Sequence, residues 1–354
     1  MRINKISKIG AIAGVAIAGL ALSACSGSGA GGAGGGAEGG AEPGVGELMG
    51  SEKAFRVAFN QSVEHPQAQA LLEFSDELYE ATDGRFSLDL YTDEVLGDQA
   101  STIEQVQSGT IDFAMIAGSL LENFEPDFSV VNLPYLYDSP EHQMQVLNDE
   151  EIMGDLYGAV EDDSIKVLSA FHGGVRNVYS SKGAVETPAD LAGQKIRVIG
   201  SDTNVKMMEL MGGVGTPMAQ GEVFTAIQSG VLDGAENNEL IYSSLSHDEI
   251  APFYSQTQHL MMPDYLIAGT TVWDGIEPDV QATMTDLLAA SSDRELELFA
   301  EAVDAAKGEA EEAGATFNEV DVETFREATL PLHEERVTNE RTQAIYDAIE
   351  AARS

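Results

Sequence analysis

The sequence predicts an α/β fold in two lobes, with a cleft between them and a long helix near the C-terminus. Three observations carry this reading. Short apolar runs alternate with helical patterns along the whole chain instead of segregating into blocks, which is the signature of interleaved strands and helices. One short pattern, "VQSGTID" at 106–112, returns as "IQSGVLD" at 227–233, each time at the end of a helical stretch, as two lobes built on one plan require. Beyond the N-terminal segments about 300 residues remain, enough for two lobes.

The elements follow in order. "FRVAF" (55–59) alternates, putting Phe55, Val57 and Phe59 on one side of an extended chain. Residues 65–84 carry Leu71, Phe74 and Leu78 at helical spacing and stop at Gly84; "FSLDLY" (86–91) alternates again, completing a β-α-β start. The two recurring segments place Gly109 and Gly230 as helix stops with a strand beginning just past each. "IKVLSAF" (165–171) reads as a strand ending at a Gly pair that lets backbone and ligand approach closely, and the short apolar run around Arg197 in "LAGQKIRVIG" (191–200) reads as the next strand. From 278 to about 313 the period becomes helical, with Val280, Met284, Leu287, Leu288, Leu296, Phe299 and Val303 on one face; a helix that long either crosses between lobes or lies on the surface of one.

The N-terminus describes export. Arg2, Lys5 and Lys8 precede the apolar, small-residue run at 9–24, so residues 1–24 read as a signal peptide, too short for a membrane span. Residues 25–52 begin with Cys25 and continue as a Gly-rich tether that cannot bury a core. "LSAC" at 22–25 resembles the lipobox of bacterial lipoproteins. Cys25 is the sole cysteine, which excludes an internal disulfide and a cysteine metal cluster; between a signal and a tether it has no core to enter, so it reads as the site of lipid attachment to a membrane.

Acidic residues number 60 and basic residues 18. Loss of the signal makes the chain three units more negative than its formal −42. That charge excludes nucleic acid as a partner and disfavours anionic lipid surfaces, and it fits a solvated acidic exterior. Enzyme chemistry finds no support: the chain has no G-x-S-x-G elbow, H-E-x-x-H motif, P-loop or calcium loop. Its histidines, His65, His142, His172, His247, His259 and His333, show no metal-ligand spacing. His172 beside the Gly pair reads as structural.

Scarce cations are more informative. Arg176 follows the Gly pair and Arg197 sits inside an apolar strand, with Ile196 and Val198 on the opposite face. Two guanidiniums from adjacent segments suit a bidentate grip on one carboxylate. The competing reading pairs each with one of the many acids as a structural ion pair, and composition alone favours it.

The stretch "LAGQKIRVIGSDTNVKMMELMGGVGTPMAQGEVFTAIQSGVLDGAENN" (191–238) resembles the signature region of the extracytoplasmic solute receptors of TRAP (tripartite ATP-independent periplasmic) transporters, the DctP family. "GRFSLDLYTDEVLGDQASTIEQVQSGTIDFAM" (84–115) and "FSVVNLPYLYDSPEHQMQVL" (128–147) carry the same resemblance, which covers the mature domain in order. It implies a periplasmic-binding-protein-like fold that closes by hinge motion over a small organic acid and delivers it to membrane permease subunits, with no cofactor and no catalysis. Lobe I is implied at 53–174 plus 263–302, and lobe II at 175–262 plus 303–354.

By the same resemblance Arg197 is the arginine that salt-bridges the ligand carboxylate, and Asn237 fixes the same group. Arg176 matches a second ligand-facing arginine, with one extra residue between the two. Asn60 falls at a ligand-contacting strand end. Gln220 replaces the aromatic residue common at its place, implying a polar ligand surface. Glu236 either orients an arginine or faces solvent. A receptor of an ATP-driven importer would share fold, anchor and mechanism; a surface-anchored hydrolase would need a nucleophile that the sequence does not display.

Overall fold

The computed structural model describes Gly44, Val45 and residues 50–353. The expected signal at 1–24, Cys25 and most of the tether lie outside the described residues.

Two parallel three-stranded blocks of identical plan form the frame. The first comprises β1 (Lys53–Ala58), α1 (Pro66–Ala81), β2 (Phe86–Tyr91), α2 (Gln99–Gln107) and β3 (Phe113–Ala117), with strands in the order β2-β1-β3. Helix α1 starts where Pro66 needs no N–H and the His65 ring accepts from the Gln67 amide; it ends before Asp83 and Gly84, both left-handed. After α3 (Pro140–Leu147), α4 (Glu150–Gly158) and β4 (Ile165–Ser180), the second block repeats the plan as β5 (Lys195–Val198), α5 (Asp202–Leu210), β6 (Val214–Pro217), α6 (Val223–Gln228) and β7 (Gly234–Asn237), in the order β6-β5-β7. The recurring sequence pattern occupies equivalent junctions, from α2 to β3 and from α6 to β7. Gly109 and Gly230 adopt φ of 70° and 75°, the left-handed stop each helix needs.

The chain closes with α7 (Glu239–Ser244), β8 (Phe253–Gly269), α8 (Thr270–Asp274), α9 (Pro278–Ala313), β9 (Thr316–Glu319), α10 (Val322–Arg336) and α11 (Glu340–Ala351). Strands β4 and β8 pair antiparallel between the blocks, giving one sheet in the order β2-β1-β3-β8-β4-β7-β5-β6, with β9 on β8. Their register slips between His172 and Val175, opposite Pro263 and Met261.

The Gly pair corrects the reading that gave it to ligand. Strand β4 runs through it, and a Cβ on Gly173 would stand 2.4 Å from the Met262 carbonyl oxygen. Gly174, at φ +86°, is 2.4 Å by the same measure from the Asn238 amide nitrogen. The pair lets β8 and Asn238 come close to β4.

Helix α9 crosses between the blocks. Val280, Met284 and Leu288 bury against Leu71 and Phe74 of α1, whereas Ala310 joins Tyr242 and Tyr254 beside the second block. Its 36 residues reach about 54 Å. Helix α11 departs from the expected grouping of 303–354 with lobe II. Arg341 pairs with Glu125 and Asp127, Arg353 pairs with Asp138, and His142 bonds the Ile349 carbonyl, all from the first half of the chain. Val45, within the expected tether, forms a bridge to Leu90 on edge strand β2.

Candidate functional site

A cavity of about 300 Å³ opens at the carboxyl ends of the parallel strands of both blocks, where open α/β sheets receive ligands. Asn60 follows β1, Glu94 and Asp98 follow β2, and Leu120 follows β3; Arg197 comes from β5, and Met218 and Gln220 follow β6. A larger cavity of about 520 Å³, lined by Tyr135, His172 and Phe299 among others, holds none of the six residues singled out from the sequence.

Arg197 is the distinctive member. Strand β5 is flanked by β6 and β7, so all of Ile196, Arg197 and Val198 are buried, Arg197 to 4% exposure. Its Nε donates to the Met218 carbonyl at 2.8 Å, and no carboxylate lies within ion-pairing distance among the described residues. Burial lowers its pKa to about 10; Glu236 partly opposes the shift, and Arg176 adds to it. A desolvated guanidinium on a cavity wall with no carboxylate in hydrogen-bonding reach leaves donors free for the acid group of a ligand.

Arg176 has the opposite fate. Its Nε donates to Glu236 Oε2 at 2.5 Å, Nη2 donates to Glu236 Oε1 and to the Glu236 carbonyl at 2.8 Å each, and Nη1 donates to Asn237 Oδ1 at 3.0 Å. Register fixes this: β4 pairs with β7 so that Val178 faces Glu236 and Asn177 faces Asn237. Although burial raises the Glu236 pKa, Arg176 and His259 outweigh it and hold the carboxylate at about 2. The Arg176 guanidinium, with burial pushing down and Glu236 pushing up, ends above its ordinary value. Glu236 is 1% exposed and paired with Arg176, so it does not face solvent.

The six residues therefore fall into two groups. Asn60, Arg197 and Gln220 line the cavity; Arg176, Glu236 and Asn237 form a buried network that is not on its wall. Gln220 does more than line it. Its side-chain amide exchanges both hydrogen bonds with that of Gln61, at 3.0 and 3.2 Å, joining the two blocks across the cleft. The Asn123 amide adds a bond to the Gly200 carbonyl at 3.3 Å.

Glu94 was not singled out from the sequence. Asp93 and Glu94 both take left-handed backbone, φ 59° and 57°, held by bonds from their amides to the Gln61 and Phe59 carbonyls. This turn delivers the Glu94 carboxylate into the cavity, where it accepts from the Gly221 amide. Burial and neighbouring Asp98 raise its pKa, and Arg197 pulls it back. In so acidic a chain no sequence signal marks this carboxylate; the one faint cue is its place in a turn just past a predicted strand.

His172 is buried, with Nδ1 2.7 Å from Gln143 Oε1, and its ring also lines the larger cavity. Among the described residues no group of three or more His, Cys, Asp or Glu is placed to hold a metal, and no helix is long and apolar enough to cross a membrane.

A mixed sheet of two repeated blocks, joined through the paired β4 and β8 and carrying a cavity with a buried arginine at its strand ends, defines a two-lobed solute-binding fold. The chain belongs to the bacterial extracellular solute-binding proteins of family 7, whose pattern it matches over residues 57–340. A solute-binding protein of Chromohalobacter salexigens is 35% identical over 274 residues, covering 77% of this chain and 81% of that protein. Among solved structures, a TRAP periplasmic solute-binding protein of Anaerococcus prevotii with bound D-glucuronate superposes with a TM-score of 0.81 at 33% identity, over 85% of this chain and 98% of that one. A TRAP protein of a Bradyrhizobium species with bound D-galacturonate also gives 0.81, at 31% identity over 84% and 100%. The TRAP resemblance drawn from residues 191–238 is thus borne out, and the ATP-driven-importer and hydrolase readings give way to it.

Proposed function

We propose that this protein captures a sugar acid of the hexuronate class by closing its lobes over it, with the ligand carboxylate on Arg197, and presents it to a TRAP permease. The unpaired, buried Arg197 at the wall of the inter-block cavity carries the proposal; the uronates bound by the similar TRAP proteins support the ligand class. Arg176 and Glu236 hold Asn237 in place, and Asn237 reaches the same carboxylate once ligand enters. The hinge lies at the β4–β8 register slip, dividing lobe I from lobe II near residues 174 and 262. Ligand bridging Asn60 and Arg197 favours the closed state because it touches both halves only there. Cys25 carries the lipid that keeps the receptor at the outer face of the cell membrane.

Isothermal titration of the purified protein with D-glucuronate and D-galacturonate tests the ligand class. Saturable binding of either, absent for the uncharged methyl ester, is the expected result. Binding of the ester at equal affinity overturns the carboxylate reading. Mass spectrometry of the membrane-extracted protein, showing an N-terminal diacylglyceryl adduct on Cys25, tests the anchor.

A further inference from the structure

We infer that the Glu94–Asp98 wall makes the site selective for polyhydroxylated acids bearing a single carboxylate and excludes dicarboxylates of the same size. The inference rests on the proposed placement of the ligand carboxylate at Arg197. Charge counting in the cavity leads to it. Arg176 is neutralised by Glu236 through three hydrogen bonds, so Arg197 is the cation left to the ligand. The same cavity wall carries two carboxylates, Glu94 and Asp98, delivered by the segment after β2, with the Glu94 carboxylate beside Gly221.

Neither is occupied by a cation: no ion pair of Glu94 or Asp98 occurs among the described residues, and their bonds are to backbone amides, Gly221 for Glu94 and Ser101 for Asp98. An ionised carboxylate accepts at several positions and donates at none, so Glu94 retains acceptor capacity after its one backbone bond. A ligand hydroxyl satisfies that capacity; a second ligand carboxylate meets like charge in a desolvated space. The left-handed pair Asp93 and Glu94 strengthens the case, since backbone of this kind is retained where a side chain must be aimed. Selectivity is thus built by attraction for the first acid group and repulsion of a second. This is a narrower ligand class than the one two free arginines would admit.

D-gluconate and D-glucarate make a matched pair, differing only in whether the distal carbon is an alcohol or a carboxylate. Titration calorimetry of the wild-type protein is expected to favour gluconate over glucarate by more than about tenfold. In Glu94→Gln that ratio shrinks, glucarate gaining and gluconate losing affinity, with the unliganded melting temperature checking the fold. Equal wild-type affinities overturn the inference while leaving carboxylate capture intact, and so does an unchanged ratio in a folded Glu94→Gln. Failure of every acid, D-glucuronate included, overturns the parent proposal and this one with it.

Discussion

Replacing Arg197 with methionine separates binding from folding with opposite signs. In the ligand-free protein the guanidinium is buried with no carboxylate in ion-pairing reach, and the drop of its pKa from the ordinary arginine value to about 10 corresponds to about 3 kcal/mol of native-state destabilisation at neutral pH. The group is a base whose folded pKa is depressed. Its cost is therefore full at every pH below about 10 and is relieved only above that. Arg197→Met removes the cost and gives up the 2.8 Å bond to the Met218 carbonyl, worth about 1 kcal/mol. The empty variant is expected to be more stable by about 2 kcal/mol, the difference of those two contributions. Binding moves the other way: losing one partner of a buried charge pair costs about 2–5 kcal/mol, a weakening of about 30-fold or more. Differential scanning fluorimetry with and without D-glucuronate reads both effects. The expected pattern is a melting midpoint raised or unchanged without ligand and a ligand shift that vanishes. A variant that loses several degrees while still responding to ligand would refute the account, because Arg197 would then be a structural residue.

Three further outcomes follow from the same geometry. Glu236→Gln leaves Arg176 buried without its carboxylate and should lower unfolding free energy by about 3–5 kcal/mol in urea titrations, far more than any change at Arg197. Gly174→Ala introduces a Cβ at φ +86° against the Asn238 side chain, and should cost at least about 2 kcal/mol or prevent soluble expression. Asp264 is half-buried and accepts from Gln67; desolvation of its carboxylate raises its pKa to about 6, so the native state holds a proton that the unfolded chain releases at lower pH. Its contribution is thus most favourable at acid pH and falls as pH rises from the ordinary aspartate range through about 6. Asp264→Asn should flatten that decline in a series of melts between pH 4 and 7.

Much of the frame was legible because it is written in short-range patterns. The alternation at 55–59 and 86–91, the glycine stops at 109 and 230, and the apolar stripe from Val280 to Leu288 each report a local periodicity that the tertiary structure keeps. Strand β4 was misread at its Gly pair, since glycine in a strand signals close approach without naming what approaches; here it is β8 and Asn238. Helix α11 was placed with the wrong half because its partners, Glu125, Asp127 and Asp138, lie some two hundred residues away in sequence.

The sequence by itself determined the class of fold, the repeated plan of its two halves and the presence of arginines where an acid-binding site needs them, because these depend on periodicity, on glycine conformation and on the scarcity of cations. Only the tertiary structure decided which arginine is free. The register of β4 on β7 brings Glu236 onto Arg176, while β5, enclosed by β6 and β7, offers Arg197 a carbonyl and no carboxylate. It also chose Glu94 from among 60 acids, through a two-residue left-handed turn that aims it at the cavity. Charge pairing acts over a few ångströms in space, and sequence carries no record of which distant side chains those ångströms join.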